Sequence, residues 1–217
     1  MNAKKIILIA VAVLLFSSIG ITGINILQNS FGYKGESAEA IMGKKMAEVT
    51  VEDIKKLSKS RFLQLYYSLP APEINDLNGE YLAANLPSGI MAAGVDFYTD
   101  HFFGPGKWTG KAFRPVDAKK GSGYNIFSST GDDGKIIKTR TRRIDTYVGK
   151  SAYDERDSYH LDYSPYNSFP VDSMHDELRK VNDHLFIGVG HMAAGGGSIN
   201  PSPFMIFGEP ASWVGPQ

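Results

Sequence analysis

Hydrophobic and polar positions follow three successive patterns along the 217-residue chain. Residues 6–27 carry no charged side chain. Between residues 50 and 70 the apolar positions recur at helical spacing, and from about residue 80 onward short segments alternate between apolar and polar positions. These patterns predict, in order, a membrane-directed segment, an amphipathic helix and a β-rich domain.

The first pattern has two interpretations. A helix of about 22 residues, at about 1.5 Å per residue, is long enough to cross a hydrocarbon core of about 30 Å and remain as an anchor. Alternatively, Ile6–Phe16 has the length of the apolar region of a cleaved signal, and Ser18-Ile19-Gly20 supplies small residues for cleavage. Lys4 and Lys5 on the short N-terminal side predict that the remainder lies outside the cytoplasm. The expected location is the bacterial inner membrane, facing the periplasm, or the periplasm itself after cleavage.

Residues 31–70 are predicted to form a stalk followed by one amphipathic helix. Thr50 and Asp53 fit a capping box, in which a hydroxyl and a carboxylate accept hydrogen bonds from backbone amides at a helix start. The helix is expected to end at Pro70. Its apolar stripe consists of Ile54, Leu57, Phe62, Leu65 and Tyr66, with the aliphatic stem of Arg61. The favoured interpretation is that this stripe packs on the following domain or closes one of its mouths.

Turn signals divide the rest of the chain into short strands. Gly131-Asp132-Asp133-Gly134 predicts a hairpin, and Asn182-Asp183 predicts another. Seven or eight antiparallel strands, without the helical crossovers of a parallel sheet, predict a mainly β fold that closes into a barrel. The predicted organisation is an anchor or signal segment at 1–30, a stalk and amphipathic helix at 31–70, and a barrel domain at 71–217.

Composition excludes several classes of function. Lysine plus arginine and aspartate plus glutamate each number 23, so the whole molecule has no basic field for a nucleic-acid backbone. The sequence contains no cysteine, which excludes disulfides, thiolate metal sites and a lipidated cysteine. No cofactor is expected.

A strand that contains glycine and tryptophan, Gly104–Pro115, is the most distinctive stretch. Strict alternation would place Trp108, Gly110 and Ala112 on one face and Lys111 on the other. Trp108 is expected to plug one end of the barrel, and Gly110 to mark a bend or a close approach of another backbone or a ligand.

Gly106-Lys107-Trp108-Thr109-Gly110 resembles the motif of the bacterial GXWXG-motif proteins. Asp176–Phe207 is also similar to the closing strands of that group. The resemblance implies a lipocalin-like (calycin) β-barrel with a pocket, and it implies no particular reaction. The chain departs from the group by its N-terminal apolar segment, so a cytoplasmic role does not carry over.

Five histidines offer candidate chemistry, but none lies in an H-x-x-x-H or H-x-H spacing, so no metal site is predicted. His160 shares a strand face with Asp162. His191 shares one with Val189 that is expected to line the lumen, where a polar group must find a hydrogen bond or a ligand. The two histidines are satisfied core residues, ligand contacts or, as weak candidates, catalytic bases.

Three arginines, Arg140, Arg142 and Arg143, crowd one strand. Closely spaced charged side chains of this kind usually lie on a solvated outer face. The alternative is that one arginine points inward and holds an anionic or carboxylate head group through a bidentate contact.

These observations favour a membrane-tethered extracytoplasmic binding protein for a hydrophobic or amphipathic, lipid-like small molecule. The alternatives are an isomerase or cyclase that uses the same pocket, and a structural subunit of an envelope complex with protein partners. The predicted ligand-binding residues are Trp108, Arg140, Arg142, Arg143, Tyr159, His160, Tyr163, Val189, His191 and Phe204.

Overall fold

Eight antiparallel strands form a closed barrel in the computed structural model, which describes residues 5–6, 20–86 and 89–217. The strands follow one another around the barrel in chain order, and β1 pairs with β8 to close it. They are β1 (Gly79–Asn85), β2 (Lys107–Pro115), β3 (Lys120–Thr130), β4 (Ile136–Lys150), β5 (Asp157–Asp162), β6 (His175–Asn182), β7 (Leu185–His191) and β8 (Ser202–Ala211). The predicted mainly β antiparallel barrel is confirmed, and both predicted hairpins are present.

Among the described residues, α-helices precede the barrel and one α-helix lies between two of its strands. Residues 20–27 are helical, and the others are α1 (Ala38–Met42), α2 (Val51–Lys55), α3 (Lys59–Ser68) and α4 (Ala92–His101), which connects β1 to β2. The predicted capping box of Thr50 and Asp53 is confirmed. The single helix predicted to run from residue 50 to Pro70 is wrong, because Ser58 caps a second helix by accepting a hydrogen bond from the Arg61 amide.

None of the helices formed by the described residues is long and apolar enough to cross a membrane. Most of the predicted anchor or signal segment, including residues 7–19, lies outside those residues.

The two larger hydrophobic clusters of the described residues lie on opposite sides of the sheet. The first lies inside the lumen and includes Tyr81, Trp108, Phe113, Phe127, Ile144, Tyr159, Leu161, Tyr163, Leu178, Phe186, Phe204 and Ile206. The second lies between helices α1–α3 and the outer face of β6–β8, where Phe62, Leu65 and Tyr66 pack with Leu185, Ile187, Val189 and Met205. The helical layer therefore buries the outside of this part of the barrel as completely as the lumen.

This second cluster reverses the predicted orientation of β7. Phe186 faces the lumen, whereas Ile187 and Val189 face the helices and are fully buried there. The prediction that Val189 lines the lumen is therefore wrong. Both faces of β7 are apolar because both are covered, so alternation alone cannot assign them.

A bulge at Thr109 reverses the predicted faces of β2 as well. Trp108 is opposite Phe127 and Gly110 is opposite Ile126, so Thr109 is one residue more than β3 matches. Beyond the bulge Lys111 points into the lumen on the same side as Trp108. The prediction that these two side chains lie on opposite faces is wrong, because it assumed an unbroken strand.

Candidate functional site

One end of the lumen is hollow. A cavity of about 210 Å³ lies there beneath α4, whose Val95, Tyr98 and Thr99 form part of its wall. Aromatic pairs, among them Tyr81 with Phe186, fill lumen space elsewhere. The remaining wall comes from Trp108, Phe103, Phe204, Met174, Met192 and neighbouring residues.

Lys111 lies at the polar floor of the cavity and is 2% exposed. Its ammonium donates hydrogen bonds to Asp176 Oδ2 at 2.9 Å, to Asn125 Oδ1 at 2.9 Å and to the Tyr163 hydroxyl. An ammonium has three N–H donors, so all of them are used within the protein. Its charge is compensated by Asp176, as burial of a charge requires.

The other members of this floor also hydrogen-bond to one another or to the backbone. The Trp108 indole donates to Asn125 Oδ1 at 3.0 Å, and the Asn125 amide donates to the Arg142 carbonyl at 3.1 Å. The Tyr163 hydroxyl donates to Asp176 Oδ2 at 2.9 Å. The tryptophan of the G-x-W-x-G stretch therefore both forms the wall of the cavity and orients the asparagine that holds the lysine.

One acceptor of the floor remains unused. Among the described residues, no group donates a hydrogen bond to Asp176 Oδ1, since both bonds to this carboxylate go to Oδ2. Oδ1 lies only 2.5 Å from the position that a Cβ would take on Gly190, and both residues line the cavity. The absence of a side chain at Gly190 therefore leaves this oxygen accessible.

Burial controls the ionisation of these groups. It lowers the pKa of the Lys111 ammonium, although the neighbouring Asp176 carboxylate acts in the opposite direction. It raises the pKa of the Tyr163 hydroxyl well above its usual range, and Asp176 adds to that increase. Three aromatic rings surround the ammonium, with centroids 5.1–5.4 Å from Nζ, and they supply further stabilisation of the cation.

Four of the ten residues predicted to contact ligand line the cavity: Trp108, Tyr163, His191 and Phe204. His191 lies at the end of β7, where its Nδ1 is 2.8 Å from the Tyr153 hydroxyl. Burial lowers the pKa of this imidazole, and the nearby His175 lowers it further.

The three arginines take other positions. Arg140 forms a bidentate ion pair with Glu80, the nearer contact being 2.6 Å, on the outer face of the barrel. Arg142 donates from Nε to the Phe103 carbonyl at 2.6 Å, and Arg143 stacks on Tyr166. None of the three is among the residues that line the described cavity.

Tyr159, His160 and Val189 also lie away from the cavity lining. Tyr159 is in the packed part of the lumen, and its hydroxyl donates to Thr146. His160 occupies the outer face of β5, next to His175 and Glu177 of β6.

Sequence reasoning missed Lys111, Asn125 and Asp176, which form most of the cavity floor. Lys111 was assigned to the opposite face because of the bulge. The only sequence signal for it was the glycine that follows the bulge, since glycine within a strand often accompanies such an irregularity. Asp176 and Asn125 come from strands far apart in the chain, and only the closed sheet brings them together.

No protein-family model and no curated protein matches the chain. Among solved structures it is similar to a crystal structure of a protein from Thermomonospora curvata, with 16% identity and a TM-score of 0.50 over 73% of this chain and 93% of the other. It is also similar to a redesigned β-barrel, with 11% identity and a TM-score of 0.31 over 65% of this chain and 99% of the other. The second score is too low to support any argument, and the first likeness shows the barrel fold alone. The resemblance to the GXWXG-motif proteins stays a prediction.

Proposed function

We propose that this protein binds a small, uncharged amphiphile whose hydroxyl group donates a hydrogen bond to Asp176 Oδ1. The observation that carries this proposal is the hydrogen bonding at the floor of the apolar cavity. The Lys111 ammonium uses all three of its donors within the protein, whereas Asp176 Oδ1 remains an accessible acceptor. A hydroxyl can donate this hydrogen bond while remaining uncharged, so it suits this position. The apolar remainder of the ligand contacts Trp108, Phe204 and the side chains of α4.

The charge of the floor favours a neutral ligand. Lys111 and Asp176 already neutralise each other at 2.9 Å. A carboxylate next to Asp176 would bring two anions together, and an ammonium would lie close to Lys111 as a second cation. Either ion would also lose its hydration without gaining an unpaired counter-charge.

The size of the cavity limits the ligand. Its volume of about 210 Å³ is below the range of about 300–1,000 Å³ that is typical of sites for drug-sized ligands. The enclosed part of the ligand is therefore a short chain or a single ring, and a longer lipid would extend out through the mouth.

A series of eight-carbon ligands tests the proposed head group. We expect isothermal titration calorimetry to show that 1-octanol binds at least about tenfold more tightly than octanoate or octylamine, because one unfavourable charge contact of about 1.4 kcal/mol has that effect. Equal or tighter binding of octanoate would refute the neutral head group.

A matched pair of variants localises the binding. Val95→Trp fills the cavity from α4 without altering the floor and is expected to abolish octanol binding. Val116→Trp places the same side chain at a position that is 65% exposed and outside the cavity lining, and it should bind like the wild type. Unchanged binding in Val95→Trp would refute the assignment to this cavity.

We further propose that the mouth of the barrel faces the membrane from which the ligand comes. Exposed apolar side chains from three segments form an apolar rim: Ile21, Ile24, Leu27, Ile90, Phe97, Phe102 and Ile199. The segments contact one another through two hydrogen bonds. The Ile90 backbone amide donates to Gln28 Oε1, and the Asn29 side-chain amide donates to the Ile199 backbone carbonyl. Their neighbours Asn25, Met91 and Asn200 line the cavity. Ile21, Ile24 and Leu27 of the rim belong to the charge-free sequence stretch 6–27, and Lys4 and Lys5 precede that stretch. These sequence features support a bilayer as the surface that contacts the rim and an extracytoplasmic position for the barrel.

The absence of cysteine makes this orientation testable by single-site labelling. The full chain, carrying Phe102→Cys with an environment-sensitive fluorophore, is reconstituted into phosphatidylethanolamine and phosphatidylglycerol vesicles that contain brominated lipid. We expect strong quenching at residue 102 and little at Phe169→Cys, a control position that is also highly exposed but lies outside the rim. Quenching at residue 169 that equals or exceeds quenching at residue 102 would contradict the proposed orientation.

A further inference from the structure

A second cluster of side chains lies outside the lumen, on the outer face of β5 and β6. His160 is directly opposite Glu177 in the antiparallel pair, and His175 is two residues from Glu177 along β6. Residues two apart on a strand share a face. The register therefore brings two imidazoles and one carboxylate together although no sequence spacing among the histidines indicates it.

The distances within this cluster fit a common ligand. His160 Nδ1 is 2.8 Å from His175 Nε2 and 3.9 Å from Glu177 Oε1, and all three atoms lie within 4.8 Å of one another. A tetrahedral ion with bonds of about 2.0–2.1 Å would separate its ligand atoms by about 3.3 Å. The observed distances of 2.8 Å and 3.9 Å lie on either side of that value, so small side-chain adjustments would allow all three atoms to contact one ion.

The Glu177 carboxylate lacks a fixed cationic partner. It is fully buried, and in the described part of the chain no lysine or arginine nitrogen lies within 4.0 Å of it. The Ala152 amide donates to Oε1 at 2.8 Å, and the Tyr66 hydroxyl donates to Oε2 at 2.9 Å. These neutral donors orient the carboxylate as metal-ligating carboxylates are usually oriented, but they do not neutralise its charge.

Ring contacts position the His160 imidazole, whose Nε2 has no hydrogen-bond partner among the described residues. The ring of Tyr147 stacks on His160 with centroids 4.8 Å apart and planes at 8°. His175 is only partly buried, so an ion can reach the cluster from solvent. The His191 ring is 5.9 Å from the His175 ring and also lines the cavity. The His191 side chain therefore lies between this cluster and the cavity.

We propose that His160, His175 and Glu177 form a binding site for a divalent first-row transition-metal ion, of the Zn²⁺ or Fe²⁺ class. Two imidazoles and one carboxylate are a ligand set that both ions accept, and three protein ligands leave a coordination position open for water or another ligand. The ion supplies a positive charge in direct contact with buried Glu177, whereas the nearby Arg179 pairs with Asp154. The site is separate from the Lys111 and Asp176 floor, so it does not depend on the proposed ligand of the cavity.

Zinc and cobalt titrations test this site in the full chain after treatment with a chelator. Calorimetry is expected to show one Zn²⁺ per chain, and Co²⁺ should give the visible absorption of a low-coordinate complex. His175→Ala is expected to weaken Zn²⁺ binding by at least about 100-fold, because loss of even an outer-shell contact costs about 10–100-fold. Glu177→Gln should have a similar effect, and it preserves shape where truncation of a buried residue could impair folding.

His184→Ala is the matched control. His184 also lies beside a glutamate, with Nδ1 3.4 Å from Glu209 Oε1, but it is exposed and is not part of a three-ligand cluster. Its replacement should leave Zn²⁺ affinity and stoichiometry unchanged. Two outcomes would overturn the proposal: failure of the wild type to bind Zn²⁺ at 100 µM, or undiminished binding by both His175→Ala and Glu177→Gln with far-ultraviolet circular dichroism like that of the wild type.

Discussion

Asp176→Leu is expected to lower the free energy of unfolding by about 3–5 kcal/mol, which is the usual cost of removing one member of a buried ion pair. The substitution leaves the Lys111 ammonium in the lumen without its counter-charge and removes the acceptor that also holds the Tyr163 hydroxyl. Urea denaturation monitored by tryptophan fluorescence measures the loss.

A double variant separates the ion pair from simple packing. Lys111→Met together with Asp176→Leu replaces both charges by apolar groups, so it should be markedly more stable than Asp176→Leu alone. If the stability losses of Lys111→Met and Asp176→Leu simply add in the double variant, the two side chains are not coupled. This interpretation of the floor is then wrong.

The loss of stability in Asp176→Leu, measured as its free energy of unfolding relative to the wild type, should depend on pH in a defined direction. Burial already lowers the pKa of Lys111 in the folded protein, and removal of the aspartate lowers it further. Between this lower pKa and the wild-type pKa of Lys111, the folded wild type keeps a proton that the folded variant has released, so the stability of the variant rises with pH relative to that of the wild type. We therefore expect the deficit of Asp176→Leu to shrink as the pH is raised towards the wild-type folded-state pKa of Lys111, which lies below the usual value of a lysine, and to stay constant above it.

Gly110→Ala is the second change with a large expected effect. A Cβ at this position would lie 2.4 Å from the Tyr81 carbonyl oxygen on β1, and this backbone atom cannot move aside as a flexible side chain can. Overpacking of this kind costs about 1–3 kcal/mol, and here it would also strain the pairing of β1 with β2. Gly106→Ala should lower stability at least as much. Gly106 has a φ of +124°, and the Cβ of an alanine there would lie 2.6 Å from the Ser128 carbonyl oxygen.

Gly94→Ala is the control for these two glycines. Gly94 lies within α4, has no heavy atom within 4 Å of a built Cβ, and should gain about 0.5–1 kcal/mol because alanine favours a helix. Thermal unfolding of the three variants tests the contrast. Gly106→Ala and Gly110→Ala variants as stable as the wild type would show that the G-x-W-x-G glycines are not required by the backbone.

The features of the fold that local sequence determines could be predicted. Turn residues such as Gly131–Gly134 divide the strands, and the close approach expected at Gly110 is confirmed by its contact with Tyr81. The face of each strand was harder to assign. β7 is apolar on both sides because α1–α3 cover its outer face, and the bulge at Thr109 shifts every later side chain of β2 to the other side.

The polar clusters could not be predicted from local patterns at all. Lys111 and Asp176 are 65 residues apart, and their meeting depends on closure of the whole barrel. The pairing of His160 with Glu177 depends on the register between β5 and β6, which the connection through residues 163–174 sets and which no motif indicates. Charge and burial could suggest that such residues need partners, but only the register identifies them.

Pairing of β1 with β8 closes the sheet, but one part of β4 keeps an unpaired edge. Residues 136–144 pair with β3 alone, whereas residues 145–150 also pair with β5. This arm of the β3–β4 hairpin is therefore the part of the sheet that a strand from a neighbouring molecule could extend.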